Sequence, residues 1–223
     1  MIDGKRILGL VPARAGSERL PGKNTRPMAG KPMIAWTLEA AKASRLLDRL
    51  VISTDDPAIA PIAESLGCEP PLARPEHLAG AQASVVDAAL HVLDQVGGDW
   101  DHLVLLQPTS PLRLAEDIDA AIELCVGRKA PAVIGVSPLS KPEAFHGRLD
   151  AEQRLTLNVA DPAAGRPVIV NGAVYVVAVD ALVRERSFRP AGTLAHVMPP
   201  ERGGDVDDDL DFRIAEALLL ARA

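Results

Sequence analysis

Short apolar runs alternate along this chain with longer segments in which apolar residues recur every three or four positions. The runs predict buried strands and the longer segments predict amphipathic helices. The predicted strands cover residues 7–11, 50–53, 103–106, 132–136, 173–179 and 194–198. The predicted helices cover residues 32–43, 56–67, 84–96, 115–126 and 209–221. This alternation is typical of an α/β fold with three layers, in which a mainly parallel sheet carries helices on both faces.

The spacing of apolar residues also predicts which helix faces are buried. In the first predicted helix, Ile34, Leu38 and Ala41 lie on one face. In the closing helix the same spacing predicts that Ile214, Leu218 and Ala221 form the buried face.

Two segments have little periodicity. Residues 70–83 are rich in Pro, Ala and Gly and are predicted to begin a loop. Residues 137–170 show only weak alternation, and we interpret them as an excursion from the sheet that carries a dimer contact or a wall of the substrate site. The prediction is therefore one domain over residues 1–223 with a small dimerisation excursion.

The composition narrows the possible functions. The 223 residues suit one α/β domain, and because aromatic residues make up only 3%, the core must be built from Ala, Val, Leu and Ile. A net charge of −6 argues against a general nucleic-acid or membrane-surface binder. Cys68 and Cys125 have neither metal-ligand spacing nor a disulfide framework. The first apolar run breaks at Pro12, too early for a signal peptide or a membrane span, so we expect a cytoplasmic enzyme.

A basic, glycine-containing loop follows the first predicted strand. Two glycines, Gly16 and Gly22, punctuate residues 11–24, and the segment from 14 to 31 has five basic residues and one acid. Glycines let backbone N–H groups approach an anion, and cations offset its charge, so the pattern favours a phosphate cradle over a solvated surface loop. Five residues separate the glycines and Asn24 replaces Ser or Thr, so the loop is not a P-loop, and there is no GxGxxG dinucleotide motif.

An acidic segment lies near the other end of the chain, with five aspartates in seven residues. These are Asp205, Asp207, Asp208, Asp209 and Asp211. In an extended segment Asp205 and Asp207 point to the same side, which suits Mg²⁺ shared with substrate phosphates. We assign the other three to helix capping or the surface, and the alternative is that the whole segment is a solvated acidic run.

Four polar segments follow predicted strands: residues 14–24, 55–56, 107–113 and 205–211. Ligands of open α/β sheets bind outside the carboxyl ends of the strands. We therefore expect these segments to converge on one crevice.

Seven blocks, in order, resemble the CMP-sugar-acid synthetases, that is, the acylneuraminate cytidylyltransferases and their relatives. The blocks are PARAGSERLPGKN, GKPMIAWTLEAA, VISTDD, RPEHLA, LLQPTSPLR, NGAVY and DVDDDLDF. The resemblance implies a Rossmann-like nucleotidyltransferase fold and a homodimer. It also implies transfer of CMP from CTP to the anomeric hydroxyl of a sialic-acid-like nonulosonic acid, with release of pyrophosphate and with Mg²⁺ as cofactor.

The resemblance also implies roles for individual residues. It implies that Asp205 and Asp207 bind the metal ion and that Gln107, Asn171 and Tyr175 bind the sugar substrate. The residues that it implies for nucleotide binding are Arg14, Ser17, Arg19, Lys23, Asn24, Arg74, Ala83 and Ser84. Simpler interpretations stay open for some of them, since Arg74 precedes a proline and suits a turn, Asn171-Gly172 is a common turn pair, and Tyr175 suits a core.

The chain departs from the family pattern at two places. Glu18 stands where sialic-acid members commonly have Lys, a form closer to the KDO-type synthetases, and Arg19 would supply the missing charge. Ile169 and Val170 replace the usual Arg-Pro, so Arg166, or Lys141 of a partner subunit, would have to bind the sugar carboxylate.

The expected reaction needs positioning and charge neutralisation rather than a covalent intermediate, and we expect Arg14, Lys23 and Asp207 to be its catalytic residues. The sequence shows no Ser/His/Asp or Cys/His arrangement for nucleophilic catalysis. The alternatives are a CMP-KDO synthetase or another sugar-nucleotide nucleotidyltransferase, a non-catalytic nucleotide-binding module, and a nicotinamide oxidoreductase. The aspartate pair disfavours the module, and the missing glycine motif disfavours the oxidoreductase.

Overall fold

A computed structural model of the chain describes residues 2–16, 19–80, 83–159, 163 and 165–222. Its strands, in chain order, are β1 (Ile7–Ala13), β2 (Pro27–Met28), β3 (Lys31–Pro32), β4 (Arg49–Thr54), β5 (Leu72–Ala73), β6 (His102–Leu105), β7 (Ala132–Pro138), β8 (Gly147–Leu149), β9 (Leu155–Leu157), β10 (Val168–Ala178) and β11 (Leu194–Val197). Its helices are α1 (Met33–Ala43), α2 (Ile59–Ser65), α3 (Val85–Val96), α4 (Ala115–Gly127), α5 (Val179–Glu185) and α6 (Asp209–Leu220).

Seven of these strands form one sheet, in the order β11-β7-β10-β6-β1-β4-β5. Every neighbouring pair is parallel except the two that involve β10, which runs antiparallel to β6 and to β7. The predicted α/β fold with a mainly parallel sheet is therefore confirmed. Because β1, β4 and β6 run in the same direction, the segments that follow them leave from the same edge of the sheet.

Helices cover both faces of the sheet, as predicted. On one face α1, α2 and α4 enclose a core that includes Ile34, Leu38 and Ile122, and Ile34, Leu38 and Ala41 are buried as expected. On the other face α3 and α5 enclose a core that includes Val92 and Leu182. Burying an aliphatic side chain of this size stabilises the fold by about 1.5–3 kcal/mol, so small aliphatic residues suffice for both layers.

Most predicted elements agree with the structure to within about two residues, the usual scatter of helix and strand boundaries. The clearest omission is α5, which starts directly after β10 and has only seven residues. It is too short to show a helical repeat, so its Val179 was assigned to the preceding strand. Strand β5 and a short 3₁₀ helix (Glu76–Leu78) also interrupt the predicted loop at residues 70–83.

The predicted buried face of α6 is wrong. Ile214 is 51% exposed, and the helix instead buries Phe212, Ala215 and Leu219. Apolar residues lie on nearly every side of this helix, so the sequence pattern does not fix its rotation. The contact that decides it is tertiary, because Phe212 packs beside Met28 and carries the Arg26 guanidinium 4.2 Å from its ring centre.

The excursion between β7 and β10 contains a hairpin formed by β8 and β9. Its apolar side chains and those of early β10 are exposed: Phe145, Leu149, Leu155, Leu157, Val168, Ile169 and Val170.

Within the described residues, no helix is long and apolar enough to cross a membrane. Cys68 and Cys125 are free thiols, and burial raises the pKa of Cys125 to about 11.

Candidate active site

A crevice of about 210 Å³ opens at the carboxyl ends of β1 and β6. Seven of the predicted site residues line it: Arg14, Lys23, Asn24, Arg74, Ala83, Ser84 and Gln107. Its remaining lining residues include Gly16, Leu78, Pro108 and Thr109. The crevice lies where an open α/β sheet binds its ligands.

The basic loop after β1 forms one wall of this crevice. Asn24 holds the loop closed, since its side-chain amide donates to the Arg14 carbonyl oxygen over 3.2 Å. Gly22 adopts a φ of +65°, and its carbonyl oxygen accepts hydrogen bonds from the amides of Thr25 and Arg26. This backbone conformation favours glycine and turns the chain into the next segment. Ser17, another predicted nucleotide contact, lies outside the described residues, as does Glu18.

Lys23 joins the basic loop to the acidic segment. Its Nζ donates to the carbonyl oxygen of Val206 over 3.0 Å, between the two predicted metal ligands. Burial lowers the pKa of Lys23, whereas the nearby carboxylates of Asp207 and Asp205 act in the opposite direction. The two segments, 183 residues apart in sequence, therefore meet at Lys23, which lines the crevice, although the lining contains none of residues 205–211.

Tight backbone contacts hold the acidic segment against the loop after β6. The Val206 amide donates to the Thr109 carbonyl oxygen over 2.7 Å. Desolvation raises the pKa of Asp205, and a hydrogen bond from the Thr109 side chain partly opposes this shift. Asp205 as a whole is exposed, and neighbouring protein atoms desolvate its carboxylate.

Asp207 forms an ion pair with Arg19, with 2.9 Å between Oδ2 and Nη2. Arg19 is two-thirds exposed and contacts the aspartate rather than the crevice lining. Asp208 caps α6 by accepting from the amides of Leu210 and Asp211, and Asp211 accepts in turn from the Asp208 amide. Asp209 pairs with Arg26 at 2.9 Å. This geometry agrees with the predicted capping and surface roles of Asp208, Asp209 and Asp211, and metal binding by Asp205 and Asp207 stays a prediction.

The donor set suits Mg²⁺. Asp205 and Asp207 are close enough for each to influence the other electrostatically, and both lie beside the cations of the phosphate loop. The described residues contain no group of three or more His, Cys, Asp or Glu side chains placed to hold a metal. A pair of carboxylates that leaves other positions for water and substrate phosphates is the usual arrangement for Mg²⁺.

At the far end of the crevice, Arg74 is buried and fixed to β4. Its Nη2 donates to the Ser53 carbonyl oxygen over 2.8 Å and its Nε to Ser53 Oγ over 3.2 Å. Burial lowers the pKa of this guanidinium, opposed by the nearby Asp55 carboxylate. Ser84 caps α3 by accepting from the Val86 amide, so α3 begins at the crevice. Arg74 is therefore more than a turn residue, because it brings a buried cation to the lining.

The predicted sugar contacts divide into two groups. Gln107 lies in the crevice lining, and its Oε1 would be 2.7 Å from a Cβ placed on Gly172, which has a φ of +74°. Tyr175 is half-buried and packs edge-to-face against Phe188 with 6.0 Å between ring centres. Burial raises the pKa of its phenol.

Asn171 is placed differently from the prediction. Its side chain is 5% exposed and points into the protein, where its Nδ2 donates to Ser137 Oγ over 3.0 Å and its Oδ1 accepts from the Ala173 amide. A Cβ on Gly203 would lie 2.8 Å from the Asn171 Nδ2. The structure therefore does not bring the Asn171 amide into the crevice, and this residue supports the backbone that carries Asp205.

Three residues of the site were not identified from the sequence. Thr109 bonds Asp205, Asp55 accepts from the Ala15 amide over 3.0 Å, and Gly172 leaves room for Gln107. Their positions in the sequence are only a weak signal, since Thr109 lies in the polar segment after β6 and Asp55 directly after β4. Neither position has spacing that distinguishes a site residue from a turn residue.

A protein-family model described as Cytidylyltransferase matches residues 8–145 of this chain. The CMP-N,N'-diacetyllegionaminic acid synthase of Legionella pneumophila is 34% identical over 226 residues that cover 96% of both chains. The N-acylneuraminate cytidylyltransferase of Escherichia coli is 33% identical over 216 residues, which cover 94% of this chain but 51% of that protein. The present chain thus spans about half the length of the Escherichia coli enzyme.

Among solved structures, a CMP:2-keto-3-deoxy-manno-octonic acid synthetase complexed with CTP superposes with a TM-score of 0.77. The match covers 98% of this chain and 100% of the other, at 18% sequence identity. At this level of identity the similarity demonstrates a common fold.

Proposed function

This chain belongs to the cytidylyltransferase family, and we propose that it transfers CMP from CTP to the anomeric hydroxyl of a nonulosonic acid of the acylneuraminate or legionaminate type. The anomeric oxygen attacks the α-phosphorus of CTP and forms the new P–O bond. The bond from the α-phosphorus to the bridging oxygen breaks, and pyrophosphate leaves together with release of the hydroxyl proton. Both relatives named above carry out cytidylyl transfer by their names, which supports the reaction class.

The observation that carries the proposal is the hydrogen bond from Lys23 Nζ to the Val206 carbonyl oxygen. It joins a cationic loop that lines the crevice to the segment that carries the carboxylate pair. Cations bind the triphosphate, and the carboxylates bind the metal that accompanies it. A non-catalytic nucleotide binder needs no carboxylate pair at this place, so the arrangement favours transfer over binding alone.

The residues of the basic loop would bind and neutralise the triphosphate. Arg14 and Lys23 line the crevice, and burial of the Lys23 ammonium partly desolvates it and lowers its pKa. A desolvated cation interacts more strongly with a phosphate than an exposed one does. Arg19, which forms an ion pair with Asp207, is near enough to contribute a further positive charge to triphosphate binding. Arg74, Ala83 and Ser84 would border the nucleoside at the other end.

Asp205 and Asp207 are the residues that would hold Mg²⁺. When bound, the ion supplies Lewis-acid stabilisation of the negative charge on the phosphate oxygens. The protein's contribution is to orient the two carboxylates, through the hydrogen bond of Thr109 to Asp205 and the capping box of α6 that follows Asp207.

Gln107 and Tyr175 are proposed to contact the sugar acid. Gln107 is in the lining beside Gly172 and Asp205, so its amide would lie next to the reacting centre. The carboxylate of the acid would be bound by Arg166 or by Lys141 of a partner subunit. The alternative acceptor, KDO, is supported by the common fold with the octonic acid synthetase, whereas the relatives that match nearly the whole chain support a nonulosonic acid.

We further propose that the protein is a homodimer that works in the cytoplasm. The exposed apolar surface of the hairpin, which includes Leu149, Leu155 and Leu157, is large for a solvated excursion and would be covered by a second copy. Use of CTP as a donor is consistent with a cytoplasmic location.

Product analysis by mass spectrometry tests the proposed reaction. The purified chain is incubated with Mg²⁺, each of the four common nucleoside triphosphates, and a panel of sugar acids that contains N-acetylneuraminate, diacetyllegionaminate, pseudaminate and KDO. A CMP conjugate of a nonulosonic acid, with pyrophosphate released in equal amount, is expected only with CTP. Activity with KDO alone would assign the alternative acceptor, and no conjugate with any pair would reject the proposed function.

A further inference from the structure

A second cavity, of about 810 Å³, lies between α1, the start of α4 and the end of α6. It shares no lining residue with the candidate active site. Most of its wall is apolar and is formed by Trp36, Ala40, Ala43, Pro111, Leu114 and Leu219. The volume is typical of pockets that hold small organic molecules.

One residue in this lining, Arg113, is a buried cation that is not directly paired with a carboxylate among the described residues, although Asp117 acts on it electrostatically. The side chain is 2% exposed and forms no ion pair within the described part of the chain. Its Nη1 donates to the Ala173 carbonyl oxygen and, over 3.4 Å, to that of Gln107. Its Nε and Nη2 have no hydrogen-bond partner among the described residues. Burial lowers the pKa of this guanidinium to about 9, so it still carries its charge at neutral pH.

Other groups of the lining add to the positive potential. Arg222 donates only to neutral acceptors there, the carbonyl oxygens of Leu112 and Glu201, each over 2.7 Å. The 13-residue helix α4 starts at the cavity, with Ala115 in the lining, so the positive end of its dipole is close by.

The carboxylates of the lining are already paired. Glu39 pairs with Lys31, Glu116 with Arg202, and Asp119 with Arg45, the last over 3.2 Å. Arg113 and Arg222 form no ion pair among the described residues; the Asp117 carboxylate acts on both electrostatically, but it is itself paired with Arg202 at 3.1 Å. Leaving the Nε and Nη2 groups of a buried guanidinium without an acceptor is costly, and an anionic ligand that accepted from them would relieve that cost.

We propose that this cavity binds an organic anion with an apolar body, such as an aromatic carboxylate or sulfonate. The apolar part would pack on Trp36 and Leu219, and the charged group would meet the positive end of the cavity at Arg113. The other side of the same guanidinium holds the Gln107 and Ala173 carbonyl oxygens, next to the predicted sugar contacts. A ligand on Arg113 would therefore change the affinity for the sugar acid, a consequence that rests on the proposed function.

Isothermal titration calorimetry with anilinonaphthalene sulfonate tests the binding site without requiring turnover. Ala43 is exposed at the end of α1 and lies in the lining, so Ala43→Trp fills the cavity with little effect on the fold. The matched control is Ala60→Trp, which adds the same side chain to an exposed position of α2 outside the cavity. We expect about tenfold weaker binding in Ala43→Trp and wild-type affinity in Ala60→Trp, since a charge-assisted contact is lost with the site.

Three further measurements sharpen the result. Arg113→Met should weaken binding about tenfold, because it removes the charge but keeps most of the volume. The neutral analogue phenylnaphthylamine should bind at least about tenfold more weakly than the sulfonate for the same reason. Saturating CTP should leave sulfonate binding unchanged. Equal affinity of Ala43→Trp and wild type, equal affinity for the neutral analogue, or displacement by CTP would each overturn the proposed site.

The coupling to the active site has its own readout. The sulfonate should change the KM for the sugar acid in wild type and in Ala60→Trp, but not in Ala43→Trp. An unchanged KM in wild type, with binding present, would overturn the coupling. If the protein transfers no CMP at all, the proposed function fails while the calorimetric result still decides the binding site.

Discussion

Gly203 passes directly over the side chain of Asn171. A Cβ on residue 203 would lie 2.8 Å from Asn171 Nδ2 and even closer to Ser137 Oγ. Two residues later the same segment presents Asp205. The close approach of backbone to Asn171 therefore fixes how far the acidic segment reaches into the crevice, and it explains why the Asn171 amide is used inside the protein.

Gly203→Ala should move this segment and reduce activity. The added methyl overlaps Ser137 and Asn171, and overpacking of this kind costs about 1–3 kcal/mol of stability. Because Asp205 moves with the backbone, we expect the Mg²⁺ concentration needed for half-maximal activity to rise as well. The control is Gly127→Ala, where a Cβ meets nothing within 4 Å. Unaltered Mg²⁺ dependence in Gly203→Ala would contradict this role.

Asp207→Asn should reduce kcat by at least about 100-fold, because loss of a metal ligand exceeds the 10–100-fold loss seen for its supporting residues. The protein should stay folded, since Asp207 is half-exposed and, among the described residues, its one ion pair is with the exposed Arg19. Asp208→Ala is the comparison, because it removes the α6 cap and should cost about 1 kcal/mol of stability with much less effect on kcat. Pyrophosphate release and urea denaturation measure the two quantities, and near-normal turnover of Asp207→Asn would exclude the metal assignment.

Asp205 should make activity and stability respond oppositely to pH. Its pKa is raised by desolvation, so its stabilising contribution is complete at acid pH and is lost as pH rises through the raised pKa. Asp205→Asn should therefore stabilise the protein at neutral pH relative to wild type, and the difference should shrink at mildly acidic pH. The measurement is urea denaturation of both proteins across this range.

The same ionisation limits catalysis, because metal binding requires the charged carboxylate. The acidic limb of the kcat/KM profile should therefore have its midpoint at a higher pH than an ordinary aspartate would give. A profile that is flat through the acidic range, or an Asp205→Asn protein less stable than wild type at neutral pH, would contradict the assigned environment.

Arg74→Lys should raise the KM for CTP about tenfold with little change in the KM for the sugar acid. The substitution keeps the positive charge but loses the fork of donors that binds the Ser53 hydroxyl and carbonyl oxygens, and each charged hydrogen bond contributes about 1.5–3 kcal/mol. Ser53→Ala, which removes one of these acceptors, should have a smaller effect in the same direction. Equal changes in both KM values would show that Arg74 supports the whole fold rather than the nucleotide end of the crevice.

Leu157→Asp should convert the proposed dimer to a monomer. Leu157 is 53% exposed on the hairpin, and a charge there would be buried without a partner in an interface. Val183→Asp is the matched control, since Val183 is 56% exposed on α5, away from the hairpin. Sedimentation velocity should detect the change in mass for the first variant alone, and a wild-type monomer would reject the dimer.

Local patterns were sufficient for most of the fold. The buried runs that became β1, β4 and β6 and the helical spacing of α1 and α4 follow from the periods of strands and helices, which depend on neighbouring residues only. The same holds for the caps at Ser84 and Asp208, where side-chain oxygens accept from amides two or three residues away. Local patterns did not predict α5, because it is too short to show a helical repeat. They predicted the wrong buried face for α6, because apolar residues lie on nearly every side of that helix.

The sequence by itself determined which groups form the candidate site: a glycine-containing cationic loop after one strand, a pair of aspartates before the last helix, and polar segments after the strands between. Only the tertiary structure decided how they are arranged. In the folded chain Lys23 donates to the Val206 carbonyl oxygen, and the Asn171 side chain points toward the protein interior. Arg113 is buried at the second cavity. The physical reason is that burial and hydrogen-bond partners at these positions come from segments up to 183 residues apart, and no local period records such contacts.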